Sequence, residues 1–361
     1  MAMAALFHEA LAAGCRQKAS DLYLTAGQRV WLRVDGQLVP FGAERVESSA
    51  LLAWLEEELD AAGLMRLQAH EEVDFAFSHG SWRLRGNAFW QRGEPAAVLR
   101  FLPPAVPSLA ALNLPARAAL DRILALTSGL VLVCGPTGSG KTTTLAACLD
   151  AINQNEARHI LTLEDPVEYV FTPARSLINQ RELGRDFCSF PAALRSALRE
   201  MPDVLLVGEL RDREALTTAL MAAESGMLVF GTLHTRRAAE APARIESFYE
   251  QGERACVREQ VARVLQAVFA QKLLPASGGG RVAAVEVLLR ELSVCSLIRQ
   301  GKYEQLPSVM MRCQQAGMQT MERTVAQLYQ EGRITAKTRE RYQREERGER
   351  EGGMTGGTFF V

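Results

Sequence analysis

The sequence predicts an α/β chain of two domains, a phosphate-loop nucleotide-binding domain behind a smaller α+β module. Three observations carry this. Residues 135–142 read G-P-T-G-S-G-K-T, between an apolar run at 130–134 and a helix-forming run at 143–149. That is the strand, loop and helix setting which separates a true G-x-x-x-x-G-K-[ST] loop from a chance match. From Ser108 onward, short apolar runs alternate with amphipathic ones, the pattern of parallel βαβ units covered on both faces. Pro103-Pro104-Ala105-Val106-Pro107 interrupts every periodicity and reads as a stiff linker. With 361 residues there is room for a core on each side of it.

Taken in order, Leu6, Phe7, Ala10 and Leu11 share one face of an opening helix. Residues 30–34 alternate as a strand, Asp35-Gly36 is a hairpin turn, and 37–39 return. Ser48 or Ser49 is expected to cap a helix carrying Leu51, Leu52, Leu55 and Leu59. A second hairpin follows, 73–77 turning at 79–81 into 82–89, and then a strand at 96–101. The expected boundaries are 1–102 for the first domain, 103–107 for the linker and 108–344 for the second domain. The charged, Gly-rich tail 345–361 is expected to be disordered. Within the second domain we expect strands at 159–163, 204–207 and 228–232, and helices at 190–199 and 213–223. The last third is expected to be mainly helical around one short strand, 282–288.

Composition excludes several classes. The formal net charge of −1 gives no footprint for nucleic acid or an anionic membrane surface. Seven cysteines include no C-x-x-C pair, so neither a zinc clip nor a disulfide framework is signalled. The first residues carry no basic leader, and no run of 18 apolar residues occurs. The expectation is a cytoplasmic protein without direct membrane insertion.

The loop sets the chemistry. Its glycines let successive backbone N–H groups converge on phosphate oxygens, and the helix N-terminus adds partial positive charge. Gly135, Pro136, Thr137, Gly138, Ser139, Gly140, Lys141, Thr142 and Thr143 form the candidate cradle, with ATP as ligand. Lys141 is placed to reach the β- and γ-phosphates, and the Thr142 hydroxyl to ligate Mg²⁺. In sheets of this kind ligands sit beyond the carboxyl ends of the strands. Three such ends are polar here: Glu164-Asp165 with Glu168 nearby, Gly208-Glu209, and His234-Thr235. Each alone reads better as structural, and His234 as a core histidine bonded to backbone. Together behind a phosphate loop they form a candidate site. Glu209 is the candidate to polarise the attacking water, and Glu164, Asp165 and Glu168 could orient that water or the water shell of the metal. His234 could bond the γ-phosphate. Gly208 stands where an aspartate commonly ligates Mg²⁺, so the metal is expected to rest on Thr142, phosphate and water.

These segments carry a resemblance. Residues 135–144, 160–170 (ILTLEDPVEYV), 203–212 (DVLLVGELRD) and 231–235 (GTLHT) resemble the Walker A, Asp, Walker B and His boxes of the secretion ATPase superfamily. Within it the chain is most similar to the PilT-like retraction ATPases of type IV pili. Residues 19–24, 179–182, 190–200 and 317–321 also match. The resemblance implies a RecA-like ATPase domain, a PAS-like N-terminal domain and a homo-hexameric ring. It implies partners at the inner membrane: a pilus platform protein and, as an option, a paralogous ATPase. It also implies arginines from the N-terminal lobe completing the site, for which Arg85, Arg92 and Arg100, on or beside strands facing the linker, are the candidates. The assembly and type II secretion relatives usually carry a four-cysteine insertion, where this chain has only Cys256 and Cys295. This chain departs from the family at Tyr23, Met201 and Arg236-Arg237, where the relatives more often show His, an acidic residue, and small or polar residues.

Overall fold

A computed structural model describes residues 2–34, 36–102 and 105–352, with side chains from 5 to 346. Asp35 of the expected hairpin turn, linker residues Pro103 and Pro104, and the tail beyond 352 lie outside the described residues. The chain divides into two units. One comprises Met1–Val106 with Pro166–Val170, and the other Pro107–Asp165 with Phe171–Val361.

In the first unit, β1 (Asp21–Thr25), β2 (Arg29–Val34), β3 (Gln37–Arg45), β4 (Val73–His79), β5 (Trp82–Gln91) and β6 (Glu94–Leu102) form one antiparallel sheet, ordered β3-β2-β1-β6-β5-β4. Its core joins alternate strand residues Leu22, Leu24, Leu32, Leu84 and Leu99 to Phe7 and Leu11 of the helix Ala2–Gln17 and to Leu51, Trp54 and Leu55 of the helix Ser48–Glu58. Burying a side chain of this size stabilises by roughly 1.5–3 kcal/mol, and Trp54 meets Phe7 edge-on at 6.0 Å. The expected serine cap is absent. Glu47 takes the N-cap position without a side-chain bond, because the Ser48 hydroxyl is drawn instead to the Glu94 carboxylate of β6. A short helix at Ala61–Gln68, capped by Asp60, has no counterpart in the sequence reading; its eight residues make little more than two turns, too short a run to show a period.

The second unit holds a seven-stranded sheet: β7 (Gly129–Cys134), β8 (His159–Glu164), β9 (Leu177–Glu182), β10 (Val204–Val207), β11 (Leu228–Leu233), β12 (Leu265–Pro275) and β13 (Arg281–Leu289), ordered β13-β12-β7-β11-β10-β8-β9. All neighbours are parallel except β12 and β13. The strands β7, β10 and β11 are buried along their whole length, as expected of strands covered on both faces.

Two strands absent from the sequence reading, β12 and β9, complete the sheet; the last third is mainly helical as expected, but around two strands, β12 and β13, where one was expected. The helix Arg254–Val264 passes into β12 at Leu265 with no Gly or Pro between them. Val257, Val261, Val264 and Val268 keep helical spacing across that junction, so a 3.6-residue period runs on into a strand. Pairing on both edges, with β7 and β13, decides for the strand. Edge strand β9 is mostly polar and only partly buried, which hides its period. The helix Ala336–Gly352 also runs past Glu345, where a disordered tail was expected to start. Glu345 accepts from Lys272 Nζ at 2.9 Å and Glu346 pairs with Arg237, so these tail charges are neutralised on the sheet.

Candidate nucleotide site

The phosphate loop leaves β7 at Cys134 and enters the helix Lys141–Asn155. Gly135, Gly138 and Gly140 adopt φ of +142°, +76° and +88°, a backbone region that residues with a Cβ rarely occupy. Two of them are also closely packed. A Cβ on Gly135 would lie 2.4 Å from the Gln271 carbonyl oxygen, and one on Gly140 would lie 2.8 Å from Gln271 Nε2. Lys141 Nζ donates to the carbonyls of Gly135 (2.9 Å) and Pro136 (3.1 Å), curling over the loop it belongs to. Pro136, Thr137 and Gly138 are exposed at the loop tip. Thr142 and Thr143 sit half-buried in the first turn of the helix. Ser139 Oγ is buried with no hydrogen-bond partner.

Register brings the other candidates alongside. Leu233 of β11 pairs with Cys134, and Val207 of β10 pairs with both Gly231 and Leu163. The carboxyl ends of β7, β11, β10 and β8 therefore line up in that order. They present the phosphate loop, His234, Glu209, and Glu164 with Asp165 along one edge of the sheet. Gly208 is closely packed: a Cβ there would lie 3.2 Å from the Leu163 carbonyl, tighter than an ordinary contact. The Gly208 N–H donates to that same carbonyl at 2.8 Å, and the Thr232 hydroxyl donates to the Gly208 carbonyl at 2.5 Å.

Glu209 is held at both oxygens. Oε1 lies 2.8 Å from His234 Nε2, and Oε2 lies 2.6 Å from Arg211 Nη2. Burial pushes its pKa up, but the Arg211 hydrogen bond and the charges of Arg211 and His234 outweigh that and lower it, so it is a carboxylate at neutral pH. Arg211 was not among the residues read as functional. Its signal was only the R-D pair after Glu209, of which Asp212 caps the helix Arg213–Glu224. Buried Glu164 accepts from Thr162 Oγ1 (2.7 Å) and Gln180 Nε2 (3.3 Å), which leaves Asp165 as the exposed carboxylate of that strand end. Glu168 is half-buried and belongs to the segment Pro166–Val170, which groups with the first unit. Among the described residues no group of three or more His, Cys, Asp or Glu could cage a metal. The oxygen donors that are present at this edge, the Thr142 hydroxyl and the exposed Asp165 carboxylate, suit a hard cation such as Mg²⁺.

In the first unit, β5–β6 register sets Arg85 opposite Arg100, and β1 register sets Asp21 opposite both Arg100 and Arg33. Asp21 Oδ1 accepts from Arg100 Nε at 3.2 Å, while Arg85 reaches Asp74 only at 3.9 Å. Arg92 does not join them. It occupies the β5–β6 turn at φ +52°, the end of the hairpin away from Leu102 and the linker. That is seven residues from Arg85, roughly 23 Å at the rise of a strand. The expectation that all three face the linker is therefore corrected for Arg92, which lies between the strands expected at 82–89 and 96–101.

Beside the loop, a cavity of about 520 Å³ opens among Asn113, Gly140, Thr143, Gln271, Gly278 and Arg333. Sequence reasoning missed Gln271, which is almost wholly buried on β12.

A phosphate loop at the carboxyl edge of a parallel sheet, with a carboxylate–imidazole pair on neighbouring strands, defines a P-loop nucleoside triphosphatase. The family described as "Type II/IV secretion system protein" matches residues 2–355, and the chain belongs to it. It is 42% identical to the "Type IV pilus retractation ATPase PilT" of Pseudomonas aeruginosa, over 91% of this chain and 95% of that protein. It is 44% identical to "Uncharacterized protein YggR" of Escherichia coli, over 90% of this chain and 99% of that one. Among solved structures, the pilus retraction motor PilT with bound ADP superposes with a TM-score of 0.85 at 41% identity, covering 92% of this chain and 95% of that one.

Proposed function

We propose that this chain is the ATPase motor of type IV pilus retraction, working as a homo-hexamer at the cytoplasmic face of the inner membrane against a pilus platform protein. One observation carries the chemistry: the His234–Glu209 contact of 2.8 Å at the ends of β11 and β10, the two strands next in order from that of the phosphate loop. ATP phosphates lie in the cradle 135–143, with the nucleoside directed to the adjoining cavity. Lys141 exchanges its two carbonyl partners for phosphate oxygens. The Thr142 hydroxyl, with Asp165 and Glu164 acting through water, would hold Mg²⁺, which would supply positive charge to the β- and γ-phosphates. Glu209, ionised by its neighbours, accepts the proton of the attacking water. Arg211 holds Glu209 until nucleotide enters, and His234 reads the γ-phosphate while bonded to Glu209. For Glu168, Arg85 and Arg100, all in the first unit, the resemblance to the PilT-like ATPases is what implies roles in orienting water and stabilising phosphoryl charge. Arg92, at the other end of its hairpin, serves a different contact.

Retraction, rather than assembly or secretion, is supported by the likeness to the P. aeruginosa retraction ATPase over nearly the whole of both chains. Counting surface pili by electron microscopy in a deletion strain tests it. Loss of a retraction motor leaves polymerisation unopposed, so pili persist or accumulate while pilus-powered movement stops. Bald cells would assign the protein to assembly. Unchanged pili with unchanged movement would make it an accessory ring subunit that depends on a paralogous ATPase.

A further inference from the structure

The phosphate loop is not held by its own strand and helix alone. Strand β12 lies beside β7 in parallel register, with Phe269 opposite Val133 and Ala270 opposite Cys134. Gln271 therefore falls where the loop begins, and it is 3% exposed. Its side chain bridges two parts of the nucleotide cradle. Nε2 donates to the Ser139 carbonyl at 2.8 Å, and Oε1 accepts from the Thr144 hydroxyl at 2.8 Å. The amide orientation is fixed by chemistry, because a carbonyl can only accept, and the hydroxyl is then left to donate. Gly135 and Gly140 close against this same residue, one on its backbone oxygen and one on its amide nitrogen. Both ends of the loop are thus gauged against one residue, by its backbone at Gly135 and its side chain at Gly140, from a strand that the loop motif does not include.

We infer that Gln271 is a positioning residue for nucleotide binding, acting through the loop and touching no substrate itself. With the Ser139 carbonyl and Thr144 pinned, the intervening N–H groups stay directed at one point before the phosphates arrive. Binding then spends less on ordering the loop. Methionine in place of Gln271 keeps the length but leaves the Ser139 carbonyl buried without a donor. Glutamate can still accept from Thr144 but sets a carboxylate against that carbonyl.

This inference rests on the nucleotide reading above, and the same experiment separates the two. Titration of the full-length protein with a fluorescent N-methylanthraniloyl ADP and Mg²⁺ tests the reading in the wild type, where absence of binding refutes the reading itself. In Gln271→Met the dissociation constant should rise at least tenfold and in Gln271→Glu at least as much. In Thr144→Val, which keeps the Ser139 bond, it should rise about threefold. Gln266→Met, on the same strand but packed on Gly129, should bind as wild type. At saturating nucleotide the turnover of Gln271→Met should stay within about threefold, since a positioning defect appears in KM before kcat. Unchanged affinity in a folded Gln271→Met protein, or an equal loss in Gln266→Met, overturns the assignment. Should Gln271→Met fail to fold, Thr144→Val decides, and wild-type affinity there overturns it.

Discussion

Replacing Arg237 with methionine should destabilise the second unit strongly, and more at high pH than at low. Arg237 sits in an acidic cage, 2.9 Å from Glu322 and 3.5 Å from Glu286, and paired also with Glu346. Glu286 on β13 is nearly inaccessible, and its remaining partners are the N–H groups of Ala238 (2.7 Å) and Met321 (3.2 Å). Removing one member of a buried pair costs about 3–5 kcal/mol because the other charge stays buried. Arg237 is itself partly exposed and Glu286 can escape by protonation, so about 2–4 kcal/mol is expected at neutral pH. At about 2–4 °C per kcal/mol for a unit of this size, the melting temperature should fall by roughly 4–16 °C.

The pH dependence has a definite sign. Burial already raises the Glu286 pKa above the ordinary carboxylate value, against the lowering pull of Arg237 and the two N–H groups. A raised folded pKa favours the folded state at low pH, and that contribution is lost as pH rises through it. Without Arg237 the pKa climbs further, so the deficit should be larger at pH 8 than at pH 5.5. Calorimetry of wild type, Arg237→Met, Glu286→Gln and the double variant at both pH values is the assay. The double variant should recover at least half of the loss. A deficit independent of pH, or no recovery on adding Glu286→Gln, would refute the reasoning.

Three further outcomes follow from the same geometry. Glu209→Gln should bind ADP and Mg²⁺ within about threefold of wild type while turnover falls by ~10²–10⁴, the usual contribution of a positioned general base; turnover at the wild-type rate removes Glu209 from the mechanism. Gly208→Asp should cost about 1–3 kcal/mol in a denaturant titration, because its Cβ meets the Leu163 carbonyl at 3.2 Å; a stable variant with tighter Mg²⁺ binding would show that room exists for a carboxylate ligand. Asp212→Ala should lose about 0.5–2 kcal/mol by uncapping the helix Arg213–Glu224, with nucleotide affinity unchanged, as read by thermal melting alongside the titration.

The candidate site was largely legible in the chain because its parts are contiguous motifs. Gly135–Thr143, Glu209 and His234 each follow a short run of buried apolar residues, and in a parallel sheet a strand's carboxyl end is where a ligand meets it. What the motifs could not supply was the set of partners. Arg211 pairs with Glu209 across one intervening residue, a contact with no sequence period. Gln271 reaches Thr144 across 127 positions.

The remainder was fixed only by tertiary structure. Strand β12 carries valines at helical spacing straight out of a helix, and local pattern gives no reason for it to extend. Its backbone groups find partners on β7 and β13 only once the sheet exists, and that pairing outweighs the local preference. Arg92 likewise falls between the strands expected at 82–89 and 96–101, and only the hairpin register sets it at the end far from Arg85. Glu345 and Glu346 read as a disordered acidic tail until Lys272 and Arg237 meet them. The sequence by itself determined the loop and the carboxylate and imidazole that follow strand ends, because those depend on neighbours in the chain. Tertiary structure decided which strand braces the loop, which arginines stand together and which charges are neutralised, because each depends on groups brought close only by folding.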